Sequence, residues 1–249
     1  FRGDNGFWTA YPPFQRLGKS FIDVATPQLF YTEPRLAWGF YGLRLNQYRE
    51  VIPHNGFHLL KQWTEILPNL KHGSFVFTSN VDGEFQKVGF EDDNVFECHG
   101  SIHWLQCLDN CTRDIWSADD FNPVVDEEYC QLINDFPTCP HCGGMARPNI
   151  LMFDDWKWQE QHQSPKEYQL EQWLFNVKKL AIIELGAGTA IPTVRKFGER
   201  LVCYPINESV SFLRVNLREP HVPDKANCFG ISMGALVALN NIQEAMYKS

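Results

Sequence analysis

The chain has 249 residues, 44% of them hydrophobic and 21% charged, and a formal net charge of 22 − 30 = −8. That length fits one large domain, or one domain carrying a smaller insertion, and buries a core without disulfide staples. The acidic balance argues against a nucleic-acid partner, which is held by Lys and Arg neutralising phosphates, and suits a basic protein or peptide. No apolar run is long enough to span a bilayer and no signal-peptide pattern is evident, so no membrane partner is expected. The eight cysteines are then expected as thiols in a reducing compartment, the cytoplasm or, in a eukaryote, the nucleus, on a monomeric protein. A start on Phe1 rather than Met leads us to expect a processed form or part of a longer chain.

Residues 1–52 are rich in aromatics, Pro and Gly and predict loops and short helices packed by rings. From Asn55, which is able to cap, the apolar residues Leu59, Leu60, Trp63, Ile66 and Leu67 recur at helical spacing, and Gly73 closes the segment. "SFVFTSN" follows as a short strand running into a polar turn. Residues 104–147 break this rhythm and read as an inserted module with its own anchor. In the last third, "KLAIIELGAG" predicts a buried strand ending in glycines and "IPTVRKFGERL" a helix with Pro192 in its first turn. "SFLRVNL" predicts another strand. "SMGALVALNNIQEAMYK" predicts a helix with Leu236, Leu239, Ile242 and Met246 on one face. Strands alternating with helices predict an α/β fold with a parallel sheet.

Four cysteines form two tight pairs, Cys107-x3-Cys111 and Cys139-x2-Cys142, with 27 residues between them. Each pair offers two thiolates from one turn, and two such turns close a tetrahedron around Zn²⁺. Gly143 and Gly144 permit the tight bend after Cys142. Four sulfurs leave no open coordination position, so the ion is expected to be structural. The competing readings are two redox dithiols, or His103 or His141 replacing one sulfur. Cys98, Cys130, Cys203 and Cys228 are scattered and read as small buried hydrophobes.

With the metal satisfied by sulfur, His99 is left over. It precedes Gly100 and Ser101 where a strand leaves the sheet, the side of an α/β fold on which ligands gather. A packed or solvated imidazole and a catalytic one are both open on this reading alone. Three polar strand ends, "TSNVDG" (Thr78 to Gly83), "GAG" (Gly186 to Gly188) and Asn216 after Val215, together suggest a nucleotide pocket. The glycines let a phosphate or ribose approach the backbone; an Asx turn satisfying its own backbone is the plainer explanation of Asn80 and Asp82.

Taken in order, "FRG" at Phe1–Gly3, "TSNVDG", "ECHGS" at Glu97–Ser101, the cysteine pairs, "CGGMARPNILMF" at Cys142–Phe153, "GAG" and "VN" resemble the sirtuin family of NAD-dependent protein deacylases. No one motif is decisive; the ordered set is specific and runs over nearly the whole chain. The resemblance implies a Rossmann-like large domain (residues 1–3, 53–103 and 148–249) with a smaller part made of a helical module (4–52) and a zinc-ribbon module (104–147). It implies NAD as co-substrate and an acylated lysine of a protein or peptide as partner. His99 falls on the general base. Asn80 and Asp82 fall on residues holding the nicotinamide end and its ribose, with Ser79 beside them where the family usually has Gln. Phe1 and Arg2 fall on the loop over the nicotinamide ribose, and we expect the aromatics around Phe1 and Phe7 to form a lid. Gly186, Ala187 and Gly188 fall on the ribose and phosphate turn, where Gly-Thr-Ser is usual, and Asn216 on an adenosine-ribose contact. Ile150, Leu151, Met152 and Phe153 fall on the strand that pairs with substrate and walls the acyl-lysine tunnel; the family usually has Phe-Gly-Glu where Phe153, Asp154 and Asp155 stand. The glycine-rich phosphate loop of the family belongs just ahead of "FRG". The chemistry implied is transfer of the acyl group to ADP-ribose with release of nicotinamide. The same fold is also compatible with ADP-ribosyl transfer or NAD hydrolysis, and a zinc-ribbon module with no catalysis is the rival from another class.

Overall fold

The computed structural model describes residues 3–66 and 72–248. Phe1, Arg2 and Leu67 lie outside the described residues. Two compact units form, one comprising the chain up to Val51 with Asn80–Gly83 and His99–Ser164, the other Ile52–Ser79, Glu84–Cys98 and the chain from Pro165 onward.

The first unit opens with four short helices, α1 (Gly3–Ala10), α2 (Pro12–Arg16), α3 (Phe21–Val24) and α4 (Pro27–Thr32), followed by α5 (Pro34–Glu50) of 17 residues. The short helices match the composition; α5 does not. Its residues from Leu36 to Gly42 are all buried, so there is no polar face to give a helical period. Phe7 is fully buried in a cluster with Phe14, Phe21 and Phe40, its ring centroid 5.3 to 5.9 Å from theirs. It is a core residue, and the expectation of a lid around it is not met.

The helix α5 is fixed against the cysteine-bearing segment. Trp38 Nε1 donates to the Ala146 carbonyl at 3.0 Å, Arg49 donates to the carbonyls of Ala118 and Phe121, and Arg35 to that of Leu132. That segment contains β3 (Gly100–Cys107), β4 (Ile115–Ser117), β5 (Val125–Asp126), β6 (Gln131–Leu132) and β7 (Ala146–Ile150), whose sheet runs β4-β3-β7, all antiparallel, with β5 and β6 as a separate hairpin.

The second unit contains the parallel strands. β1 (Val76–Thr78) pairs with β2 (Val95–Glu97), and β8 (Lys179–Leu185), β9 (Ser209–Val215) and β10 (Cys228–Ile231) form a parallel sheet in the order β10-β9-β8. The helices α6 (Asn55–Ile66), α7 (Glu84–Lys87), α8 (Ser164–Asn176), α9 (Thr193–Cys203) and α10 (Ala235–Lys248) connect and cover them. Phe96, Leu170, Leu174, Leu180 and Leu201 make one core, and Leu59, Trp63 and Leu239 a smaller one. Together these make the expected α/β, Rossmann-like class.

Local details depart from the sequence reading. The cap of α6 is His54, whose Nδ1 accepts the Gly56 N–H at 3.0 Å, while Asn55 is already helical. Pro192 stands just ahead of α9 at its N-cap. The sequence predicts β8 as a buried strand. It stands at the edge of its sheet with Leu180 and Glu184 buried and Ile183 40% exposed, so only one face is covered. On α10, Leu239 is buried whereas Leu236 and Met246 are more than a third exposed. Of the scattered cysteines, Cys130 is fully buried; Cys98, Cys203 and Cys228 are partly exposed. No described helix is long and apolar enough to cross a membrane.

Candidate functional site

Parallel pairing of β1 with β2 sets the site's first geometry. Thr78 lies opposite Glu97, and the Cys98 N–H donates to the Thr78 carbonyl at 2.9 Å, so the two chains leave their strands together. One continues through half-buried Ser79 into the turn Asn80–Gly83, the other through His99 into β3. In the first unit these stretches stay joined: Ile102 N–H donates to the Val81 carbonyl at 3.0 Å, and the ring of His103 reaches the Asp82 carbonyl at 2.9 Å. Gly83 closes the turn at φ +74°, a conformation glycine adopts without cost.

His99 is half-buried between β2 and β3. Its carbonyl accepts the Leu151 N–H at 2.9 Å, which ties it to the end of β7. Withdrawal from water disfavours the charged imidazolium and holds its pKa below the ordinary value. The neutral ring is therefore the form present near pH 7, and a neutral imidazole accepts a proton. Gly100 follows at φ +77°, with the Asn149 carbonyl oxygen 2.1 Å from where a Cβ would stand. Only glycine admits this approach of β7 to the residue after His99.

Ile150 at the end of β7 and Met152 beyond it are buried, Leu151 points outward at 37% exposure, and Phe153 is half-buried. Phe153 N–H donates to the Ala25 carbonyl at 2.9 Å and its ring meets Phe21 edge-on at 5.9 Å. Asp154 takes φ +53°, so the left-handed turn is kept without a glycine; Asp is among the residues that tolerate it. Asp155 pairs with Arg147 through two hydrogen bonds of 2.7 and 2.9 Å and also accepts the Lys157 N–H.

The four cysteine sulfurs lie within 4.8 Å of one another, with Cys107–Cys142 at 3.8 Å and Cys111–Cys139 at 3.5 Å. The second knuckle is built as its glycines suggest: Gly143 at φ +69° donates to the Cys139 carbonyl, and Gly144 N–H points at Cys142 Sγ. Burial raises the Cys139 pKa, but the backbone N–H groups of Cys142 and His141 outweigh it and bring the thiol down to about 7. The Cys111 thiol is pushed up, first by its hydrogen bond to Cys142 and next by burial. The cluster is thus a set of thiols sharing protons, ready to exchange them for a cation. His103 and His141 are engaged elsewhere, His141 with Asp114 at 2.7 Å, and His99 is outside the cluster.

The second unit holds the other strand ends. Gly186 follows β8 at φ +68° and its N–H donates to the Val215 carbonyl. Asn216 is buried; its Nδ2 donates to the Ala187 carbonyl at 2.8 Å and its Oδ1 accepts the N–H groups of Arg218 and Glu219. Gly186, Ala187, Gly188 and Asn216 are thereby brought together, with Asn216 spanning the turn. Sequence reasoning missed Glu219, which accepts from Thr189 N–H and hydroxyl, and Arg195, which donates to the carbonyls of Glu219 and His221. Their separations of 24 to 30 residues along the chain leave no local signal.

A Rossmann-like α/β unit with glycine-turn strand ends, a ribbon closed by four sulfurs and a half-buried histidine at the opposite end of β3 define the class. A model of the Sir2 family matches residues 1–175, and the chain belongs to that family. It is 28% identical over 156 residues to an NAD-dependent protein deacylase of Aquifex aeolicus, covering 62% of this chain and 54% of that protein. It is 26% identical over 230 residues to one of Thermococcus sibiricus, covering 92% of this chain and 78% of that protein. The chain spans about half the length of the first of these relatives. Its fold is shared with Sir2 bound to acetylated peptide (TM-score 0.63, 18% identity, 91% of this chain and 84% of the other). It is shared also with Sir2Tm bound to a propionylated peptide (TM-score 0.61, 16% identity, 95% and 90%).

Proposed function

We propose that the chain is an NAD-dependent protein-lysine deacylase acting on acylated lysine in a protein or peptide. The observation that carries this reading is His99, half-buried, held as neutral imidazole by desolvation, and tied through its carbonyl to Leu151. NAD supplies the ADP-ribose that accepts the acyl group and the nicotinamide that leaves. His99 takes the proton from the ribose hydroxyl, a task suited to a base that is unprotonated near neutrality. Asn80 and Asp82, with Ser79, orient the nicotinamide end. Gly186, Ala187, Gly188 and Asn216 receive the adenosine ribose and phosphates. Leu151 faces substrate, and buried Ile150 and Met152 with Phe153 offer an apolar wall. An apolar wall favours an acylated lysine over a charged one, because an unpaired ammonium is costly to bury.

The four sulfurs are proposed to hold Zn²⁺. Sulfur separations of 3.5 and 3.8 Å fit the ~3.8 Å edge of a tetrahedron with Zn–S ~2.3 Å. Such an ion is closed to substrate and structural. The relatives' names and the acylated peptides bound by proteins of the same fold support the same activity.

The test is an acetyl-lysine peptide incubated with NAD and followed by mass spectrometry. Equal amounts of nicotinamide and O-acetyl-ADP-ribose are expected, and neither without peptide. Nicotinamide released equally fast without peptide replaces this reading with NAD hydrolysis, and ADP-ribose attached to protein replaces it with ADP-ribosyl transfer.

A further inference from the structure

The pairing of β3 with β7 is interrupted. Ser101 lies opposite Asn149, but the next paired residue of β3 is Leu105, opposite Pro148. Ile102, His103 and Trp104 therefore have no partner on β7, and this irregular stretch bonds elsewhere. Ile102 N–H goes to the Val81 carbonyl, the His103 carbonyl accepts the Ala118 N–H at 2.9 Å, and His103 Nε2 meets the Asp82 carbonyl oxygen at 2.9 Å. A carbonyl oxygen only accepts, so Nε2 carries the proton, and the bond exists whether the ring is neutral or charged. The Cδ2–Nε2 edge of the ring also packs against the turn: a Cβ on Gly83 would stand 3.0 Å from His103 Cδ2 and 3.1 Å from Nε2. The turn bearing Asn80 and Asp82 is thus tied to β3 through a main-chain bond and through the side chain of His103, both from the stretch where the strand bulges.

We propose that His103 is a positioning residue for NAD: it fixes the Asn80–Gly83 turn in the conformation that presents Asn80 and Asp82 to the nicotinamide ribose. The inference rests on the reading above, which places those two residues at the nicotinamide end. His103 itself is not a catalytic residue and not a metal ligand. Its contribution is to remove the turn's freedom before NAD arrives, so that less order has to be imposed on binding.

The experiment compares wild type with His103→Phe and His103→Gln in the zinc-loaded protein. Phe keeps the ring's packing against Gly83 and removes the donor; Gln returns an amide N–H at similar reach. Expected for His103→Phe are a roughly tenfold rise in the NAD KM and in the NAD Kd by calorimetry without peptide, with kcat, peptide KM and zinc content within about twofold of wild type. Expected for His103→Gln is an NAD KM within about threefold of wild type. An unchanged NAD KM and Kd in a folded His103→Phe overturns the proposal. Equal losses in both variants also overturn it, since a merely structural ring would not be rescued by an amide. If the Phe variant does not fold, the Gln variant decides: near-normal NAD binding supports the proposal and a tenfold loss overturns it. Wild type that binds no NAD takes down the functional reading and this proposal together, whereas wild type that binds NAD beside an unaffected His103→Phe takes down the proposal alone.

Discussion

Arg147 and Asp155 face each other as a two-bonded ion pair with both side chains fully buried. Arg147 stands in the middle of β7 and Asp155 three residues past Met152, so the pair folds the chain back directly after the candidate substrate strand. Breaking such a pair from one side leaves a charge in a low-dielectric interior, which costs roughly 3–5 kcal/mol. Asp155→Ala is expected to lower the melting temperature by roughly 10 °C, since a kcal/mol shifts a chain of this size by a few degrees. Replacing both partners, as Arg147→Met with Asp155→Leu, should recover most of that loss, because a matched apolar pair needs no counter-charge. Thermal unfolding of wild type and the two variants checks this; a double variant as unstable as Asp155→Ala would mean the pair contributes by its geometry and not by neutralising Arg147.

As the proposed base, His99 is expected to link pH to both rate and stability. Burial lowers its folded pKa below the ordinary value of about 6.5, so over the interval between the two values the unfolded chain binds a proton that the folded chain does not. The stabilising contribution of the neutral folded form is therefore complete above about pH 6.5 and is lost as pH falls through the folded pKa. Catalysis by His99 as a base should fail in the same direction. His99→Ala is expected to leave metal binding at the four cysteines unchanged, to lose deacylation, and to show a shallower fall of stability as pH drops below 6.5 than wild type. Denaturant midpoints taken across that range, with metal content measured alongside, test all three.

What could be read from the sequence divides by the distance over which each signal acts. The four-cysteine cluster is legible because each pair of thiols sits in one local turn and two glycines follow the second pair at once. The strand ends carrying Asn80, His99, Gly186 and Asn216 were legible as polar residues closing apolar runs. The long helix α5 was not, because its middle is buried on every side and presents no period. Phe7 has the composition of a lid and the position of a core residue; only its rings of neighbours, from Phe14 to Phe40, decide between them. The cap of α6 went to His54 instead of Asn55 because helix phase, and not residue type, selects the capping position. His103 looked like a spare metal ligand, since nothing along "HGSIHW" announces that the strand bulges there.

Gly39 gives a prediction whose sign is opposite to propensity. In the middle of a helix, Gly to Ala ordinarily stabilises by up to about 1 kcal/mol. A Cβ at Gly39 would stand 1.9 Å from the Cys130 carbonyl oxygen and 2.9 Å from the Gln131 nitrogen, and both are backbone atoms. Cys130 is itself at φ +54°, so its backbone is already specialised. Gly39→Ala should therefore destabilise by about 2–3 kcal/mol, the cost of forcing main chain apart in a packed core. Equilibrium unfolding measures it, with an exposed helical site such as Gln47→Ala as the control expected to change little.

The metal prediction separates structure from chemistry. Among the described residues, Cys107, Cys111, Cys139 and Cys142 are the group placed to hold an ion, and all four sulfurs are needed to close a tetrahedron. Cys107 ends β3, and the His99 carbonyl is tied to Leu151 just past β7, the strand that pairs with β3 at Gly100–Ser101 and again at Leu105–Cys107, on either side of the bulge. Losing the ion at one end of that ladder should loosen its pairing toward the other. Because structural metal binding is folding free energy, Cys142→Ser is expected to lose metal and thermal stability together, and activity with them at temperatures where wild type is still folded. His99→Ala should lose activity alone. Hydrogen exchange of the β3 and β7 amides on chelation gives the sharpest reading: faster exchange from Ala146 to Ile150 is expected, and full protection in a metal-free protein would mean the ladder stands without its ion.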